Sequence, residues 1–189
     1  MQTIKGNSMA NALIVIAQGI EEMETVIIAD ILVRAGIDIT LASVTGRQIE
    51  ASRGVRIVAD VDLNQVKDQS FDMIICPGGL PGAEYLRDSE LLKSLLMQQD
   101  KQNKWIAAIC ASPARVLAHH GLLLKRRATC YPGSEEQLPL YVDEAVVIDG
   151  HVITSQGPGT AMLFALKLVQ VLVGEVQAKE VAATALIKV

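Results

Sequence analysis

Aromatic residues are scarce: the 189-residue chain has one Trp, three Tyr and two Phe, 3% of the total, although 50% of it is hydrophobic. Its core must therefore be aliphatic. Such β-branched richness suits strands buried on both faces, as in a parallel sheet covered by helices. Basic charge is also short, with 17 Lys and Arg against 21 Asp and Glu, a net charge of −4 and a pI near 5.4. The longest basic cluster is Lys125-Arg126-Arg127. This excludes nucleic acid as a partner, since neither the phosphate-neutralising charge nor the aromatic stacking platforms are there. No run approaches the roughly 18–20 apolar residues of a membrane helix, and no charged-apolar-small signal opens the chain. The sequence therefore reads as cytoplasmic, with no membrane partner. Three cysteines, odd in number and widely spaced, exclude a disulfide framework and C-x-x-C metal or redox motifs. His119 and His120 are adjacent and expected to face different directions, and His151 sits apart, so no metal ligand set or Cys-His pair is visible.

What is present is an alternation of strands and helices. Residues 1–8 are polar and precede Met9, and read as an expression remnant or disordered leader, leaving 9–189 as one domain. Ala12–Ala17 is a continuous apolar strand, followed by a helix over Glu22–Ala35 that Gly36 ends. Ile37–Ser43 alternates as a strand, and segments at Ile49 and Val55–Val58 form a small hairpin. Phe71–Cys76 is a buried strand stopped by Pro77-Gly78-Gly79, and a helix over Ser89–Asp100 carries Leu91, Leu92, Leu95 and Leu96 in one stripe. Trp105–Ile109 is the next strand and Ala111–His120 the next helix. A strand at Ala128–Cys130, a hairpin around Asp149-Gly150, and helices over Thr160–Leu172 and Glu175–Ile187 complete the chain. This order predicts an α/β three-layer sandwich around a mostly parallel sheet. Ligands in such folds gather beyond the carboxyl ends of the strands, where the loops at Gln18–Glu24, Pro77–Gly82 and Cys110 should converge.

The chemistry centres on Cys110, where an apolar strand turns directly into a helix. Unpaired N–H groups and the dipole at a helix N-terminus stabilise thiolate, and the topology is that of a nucleophile elbow. A protonated acid beside it would depress the thiol further, so Cys110 is expected to titrate well below a free thiol. The plain alternative is a buried core thiol, the default for Cys76 and Cys130. Pro77-Gly78-Gly79-Leu80-Pro81-Gly82 reaches the same sheet edge and could offer oxyanion-type N–H donors, or be only a turn. It is not G-x-G-x-x-G, and Glu21, Glu22 and Glu24 on the preceding loop repel a pyrophosphate, so no cofactor is expected. Two of these carboxylates read as solvated helix-terminal charges, and the third, turned inward, would have a raised pKa and could hold a proton. Sequence alone does not say which.

Taken together, Gly19-Ile-Glu-Glu-Met-Glu24-Thr, Ala51-Ser-Arg53-Gly, Pro77-Gly-Gly79, Ala107-Ala-Ile-Cys110-Ala and Thr154-Ser-Gln-Gly-Pro158-Gly-Thr160 resemble the ThiJ/PfpI superfamily, most closely its Parkinson-associated deglycase (DJ-one) branch. The resemblance covers nearly the whole chain from Met9. It implies a flavodoxin-like fold, a homodimer and a nucleophilic, easily oxidised Cys110 with Glu24 as its acidic partner. It also implies oxyanion amides at Gly79 and Ala111. Glu21, Arg34, Arg53, Gly78, Tyr131 and Pro158 fall on substrate-pocket positions, with Pro158 on a loop that approaches the partner subunit's site. Two departures stand out: Tyr131 occupies a position where some relatives place a histidine, and Ala111 replaces the histidine of the peptidase branch.

The activity this resemblance implies is a cofactor-independent glyoxalase or deglycase. Cys110 would attack a methylglyoxal-type α-oxoaldehyde, or its adduct in a glycated protein, and Glu24 would move the proton. The alternative it carries is a redox-responsive chaperone or oxidative-stress sensor that uses oxidation of the same cysteine.

Overall fold

The computed structural model describes residues 9–188, so the leader expected over 1–8 lies outside the described residues. The elements alternate along the chain: β1 (Asn11–Ile16), α1 (Glu22–Arg34), β2 (Asp38–Ser43), a hairpin of β3 (Gln48–Glu50) and β4 (Arg56–Val58), β5 (Val61–Asp62), and β6 (Met73–Cys76). Next come α2 (Gly82–Asp88), α3 (Glu90–Lys101), β7 (Trp105–Ile109), β8 (Arg127–Ala128), β9 (Leu140–Tyr141), β10 (Val146–Asp149), β11 (Val152–Ser155), α4 (Ala161–Val173) and α5 (Glu175–Thr184). The main sheet has seven strands in the order β10-β11-β7-β6-β1-β2-β5. All neighbours in it are parallel except the β10–β11 hairpin.

The sheet's position follows from its composition. Ala12 to Ala17 have no exposed surface, which requires cover on both faces. One layer is α1 packed on α4 and α4 on α5; α2 and α3 pack together as the other. In α3, Ser89 caps the N-terminus by accepting from the Leu92 N–H at 3.3 Å, and Leu92, Leu96 and Gln99 are its buried stripe, with Leu91 and Leu95 only partly covered. Gln99 replaces a leucine in that stripe because its amide donates to the carbonyls of Phe71 and Trp105, at 3.1 and 3.2 Å.

Several boundaries differ from the sequence reading. Helix α2 was hidden behind Pro77–Gly82, whose composition signals a loop, and its seven residues are too few to show periodicity. The helix after Cys110 is a short π-type turn, Pro113–Ala118. The strand expected over Ala128–Cys130 is the two-residue β8, which pairs with β9 in a separate small sheet. Helix α5 stops at Thr184, three residues short of Ile187. The rings of His119 and His120, expected to face different directions, are in edge-to-face contact, centroids 5.1 Å apart.

Candidate active site

The order β2-β1-β6-β7-β11 reverses direction between β1 and β6, and at such a switch point the loops beyond the strands diverge to leave a crevice. The loops after β1, β6 and β7 meet there. Glu21 N–H donates to the Gly78 carbonyl at 2.9 Å, and Ser112 Oγ donates to the Pro77 carbonyl at 2.5 Å. Cys110 sits on the turn between β7 and the helical segment with φ of +65°, a left-handed conformation that a non-glycine residue adopts only under strain. The strained residue is held on both sides: its N–H donates to the Ser155 carbonyl at 3.0 Å, and its carbonyl accepts from Tyr131 N–H at 2.8 Å.

Gly78 lies directly beneath the thiol. A Cβ there would stand 2.5 Å from the Cβ of Cys110, so only glycine lets the β6 loop approach this closely. Gly79 has φ of +90°, and a Cβ on it would collide with the backbone of Ile20 and Glu21. Freed of side chains, the loop turns its N–H groups inward. The N–H group of Gly79 on this loop and that of Ala111 just after Cys110 favour the thiolate, and the N–H of Gly78 donates to Glu24 Oε2 at 2.7 Å.

Glu24 has no exposed surface. Burial pushes its carboxyl up to about 7; the hydrogen bonds from Gly78 and Cys110 oppose this, and the Glu21 charge adds to it. Its Oε1 is buried with no hydrogen-bond partner among the described residues. Burial also pushes the Cys110 thiol up to about 12, helped by the charge and hydrogen bonding of Glu24 and opposed by the N–H groups of Gly79 and Ala111. The depressed thiol expected from the sequence is thus not what an ionised Glu24 permits. The helix-terminal donors are in place, but burial and the facing carboxylate outweigh them. The two groups behave as one site sharing protons.

Expecting two of the three acidic residues to be solvated was wrong. Glu21 and Glu22 are each only 6% exposed, because the loop after β3 folds over them and supplies donors. Ser52 Oγ lies 2.8 Å from Glu21 Oε2 and 3.1 Å from Glu22 Oε2, and Arg53 N–H donates to both Glu22 oxygens at 3.0 and 3.1 Å. Burial works to raise the Glu22 pKa, but the hydrogen bonds from its own backbone, Arg53, Ser52 and Val55 hold it below the ordinary value.

Above the sulfur opens a cavity of about 400 Å³. Of the residues expected to form the site, Glu21, Arg53, Gly79, Cys110, Ala111, Tyr131 and Pro158 line it, while Gly78 and Glu24 lie behind its wall. Pro158 therefore reaches its own chain's cavity. Arg34 does not line the cavity of its own chain. It ends α1, ten residues beyond Glu24 or roughly 15 Å along the helix, where it pairs with Asp30 at 2.6 Å on the surface. Ser52, Leu80, Arg115 and Ser134 were missed. Arg115 had a signal: it follows Ala111 by four residues, one turn along the segment that carries the nucleophile. Cys76 and Cys130 have no exposed surface, and burial pushes their thiols up to about 12 and about 11, the latter with help from the Glu135 charge. Among the described residues no group of three His, Cys, Asp or Glu is placed to hold a metal ion, and no helix is long and apolar enough to cross a membrane.

A strained cysteine on a strand-to-helix turn, with an acid behind it and glycine amides in front, invites comparison with known proteins. The model of the DJ-1/PfpI family matches residues 10–171. The chain belongs to this family. It is 45% identical over 177 residues to protein dj-1beta of Drosophila melanogaster, covering 91% of this chain and 94% of that one. It is 41% identical over 158 residues to the glutathione-independent glyoxalase DJR-1.2 of Caenorhabditis elegans, covering 82% and 83%. Among solved structures, oxidised Toxoplasma gondii DJ-1 superposes with a TM-score of 0.92 at 43% identity, covering 94% of this chain and 98% of that one. The sandwich described above is thus the flavodoxin-like fold of the DJ-1 proteins.

Proposed function

We propose that this DJ-1/PfpI protein is a cofactor-independent glyoxalase in which Cys110 is the nucleophile and Glu24 the proton carrier. The observation that carries this reading is the buried carboxyl of Glu24, one oxygen tied to Gly78 and the other unpartnered, beside a thiol held at φ +65°. The reactive state has the shared proton on Glu24, so that sulfur is thiolate and the carboxyl is its hydrogen-bond donor. Thiolate adds to the aldehyde carbon of methylglyoxal and the carbonyl oxygen takes the proton, giving a hemithioacetal. The Glu24 carboxylate then removes the C–H proton from the former aldehyde carbon and returns it to the adjacent carbon, while the hydroxyl proton passes to the former ketone oxygen. The resulting thioester takes up water, releasing lactate and the thiol. The sum is methylglyoxal plus water to lactic acid, with no external oxidant. The N–H groups of Gly79 and Ala111, which favour the Cys110 thiolate, are placed to steady the oxygen that develops charge. The same steps on adducts of methylglyoxal with protein amines or thiols are deglycation.

The glyoxalase named among the relatives supports the substrate class. The test is lactate formation from methylglyoxal by reduced protein. Cys110→Ser should abolish it, and Glu24→Gln should lower it by about 10²–10⁴-fold, the usual worth of general acid–base transfer. Undetectable lactate from the wild type would overturn the reading.

A second reading is favoured by the same unpartnered oxygen. A protonated Glu24 can donate to an oxidised Cys110 sulfur, and one related structure is of an oxidised protein. On that reading the protein is an oxidative-stress sensor or chaperone. Peroxide should then halt at Cys110 sulfinate in wild type but not in Glu24→Leu.

A further inference from the structure

We propose that Arg115 is the anion anchor of the Cys110 cavity, selecting α-oxoaldehydes that carry a carboxylate. The substrate class rests on the reaction proposed above.

Two cations line the cavity, Arg53 and Arg115, and neither guanidinium forms an ion pair or hydrogen bond among the described residues. The lining carboxylate, Glu21, is engaged elsewhere: one oxygen accepts from Met23 N–H at 3.3 Å and the other from Ser52 Oγ at 2.8 Å. Arg53 is exposed, so solvent and salt screen it; Arg115 is half-buried, where screening is weaker and an unpaired charge gains most from a partner. Arg115 N–H donates to the Ala111 carbonyl at 2.8 Å, which sets the two residues one turn apart on a common face. Helical side chains lean toward the N-terminus, in this segment toward Cys110. On its other side Arg115 borders a smaller pocket of about 250 Å³ with Arg87, His119 and Gln137. There Arg87 is tied to Asp88 at 2.7 Å, so Arg115 is the unpaired guanidinium of that wall too.

A three-carbon aldehyde bonded to Cys110 leaves most of a cavity of about 400 Å³ unfilled and offers Arg115 no charge. An α-oxoaldehyde extended by a short chain ending in carboxylate fills more of it, and its two oxygens match the planar fork of a guanidinium. For 4,5-dioxovalerate the steps run as for methylglyoxal. The C–S bond forms at the aldehyde carbon, the proton moves to the neighbouring carbon, and water cleaves the thioester to 2-hydroxyglutarate, with the remote carboxylate unchanged.

The experiment compares wild type, Arg115→Ala, Arg115→Lys and the surface control Lys179→Ala. One readout is the ratio of kcat/KM for 4,5-dioxovalerate to that for methylglyoxal. It should fall roughly 10- to 100-fold in Arg115→Ala, the usual scale for losing a charged hydrogen bond. The loss should appear in KM, recover partly in Arg115→Lys and be absent from Lys179→Ala. The second readout needs no turnover: the ratio of Cys110 alkylation rates by iodoacetate, an anion, and iodoacetamide, its neutral counterpart. That ratio should also fall in Arg115→Ala and partly recover in Arg115→Lys. Either ratio staying at its wild-type value in Arg115→Ala overturns the proposal. If wild type turns over neither aldehyde, the reaction proposed above falls and takes the substrate class with it. The alkylation ratio then decides the anchor by itself.

Discussion

Glu24 shows what burying one carboxyl does. Its pKa of about 7 in the fold compares with 4.5 for the unburied group, so between these values the folded protein holds a proton that the unfolded chain has released. Its contribution to stability is fully present below pH 4.5 and is lost as pH rises through 7, a loss of about 3 kcal/mol at 1.36 kcal/mol per pKa unit. Glu24→Gln removes the ionisation. Urea unfolding of reduced protein at pH 4.5 and pH 8 should therefore show wild type losing about 3 kcal/mol more than Glu24→Gln between the two. Parallel losses would mean that the carboxyl is hydrated in solution. The opposite sign applies to Glu22, whose lowered pKa stabilises the fold above the ordinary carboxylate range. Glu22 and Glu24, two residues apart, therefore act on stability with opposite sign, according to their burial and the donors that reach them.

Among the elements, α3 is the clearest case of a helix specified by its own residues. Ser89 supplies the cap, Glu90 the favourable charge in the first turn, and Leu92 and Leu96 the buried stripe. Ser89→Ala should cost about 1 kcal/mol in urea unfolding, and Ser89→Asp should restore it. An unchanged midpoint for the alanine variant would show that the cap carries no weight. The turn after β7 is the contrasting case. Its local residues favour a tight bend, but the positive φ of Cys110 is held by Ser155 and Tyr131, which arrive from distant segments. The strain that presents the thiol is maintained by tertiary contacts.

For the whole molecule, the family resemblance implies a homodimer. Helix α1 buries Glu24, Thr25, Ile28, Ile31 and Leu32, yet Met23, Val26 and Val33 on its outer side are 54, 53 and 55% exposed. They stand at spacings of three and seven residues, so they form one apolar strip. If that strip is the dimer face, the 20.3 kDa chain should sediment at twice its mass and Val26→Glu should sediment as a monomer. A monomeric wild type at micromolar concentration would remove the dimer from the reading.

Much of this was legible in the chain itself. Aliphatic composition and strand-helix alternation determined the parallel sandwich, because a run such as Ala12–Ala17 with no polar position can be stable only between two covered faces. The position of Cys110 between an apolar strand and a helix determined a thiol at the sheet edge, since that edge is where such turns emerge. Other features had no local signal. Ser52 and Arg53 bury Glu21 and Glu22 from about thirty residues away, whereas local pattern places two of the three carboxylates in solvent without saying which. Arg34 and Arg53 looked alike as pocket cations until the fold put one at the far end of α1 and the other over the cavity. Pattern along the chain determines which faces are buried, because burial follows from periodicity. Which charge meets which was decided only by the tertiary structure, because long-range packing sets each group's donors, solvent and distance.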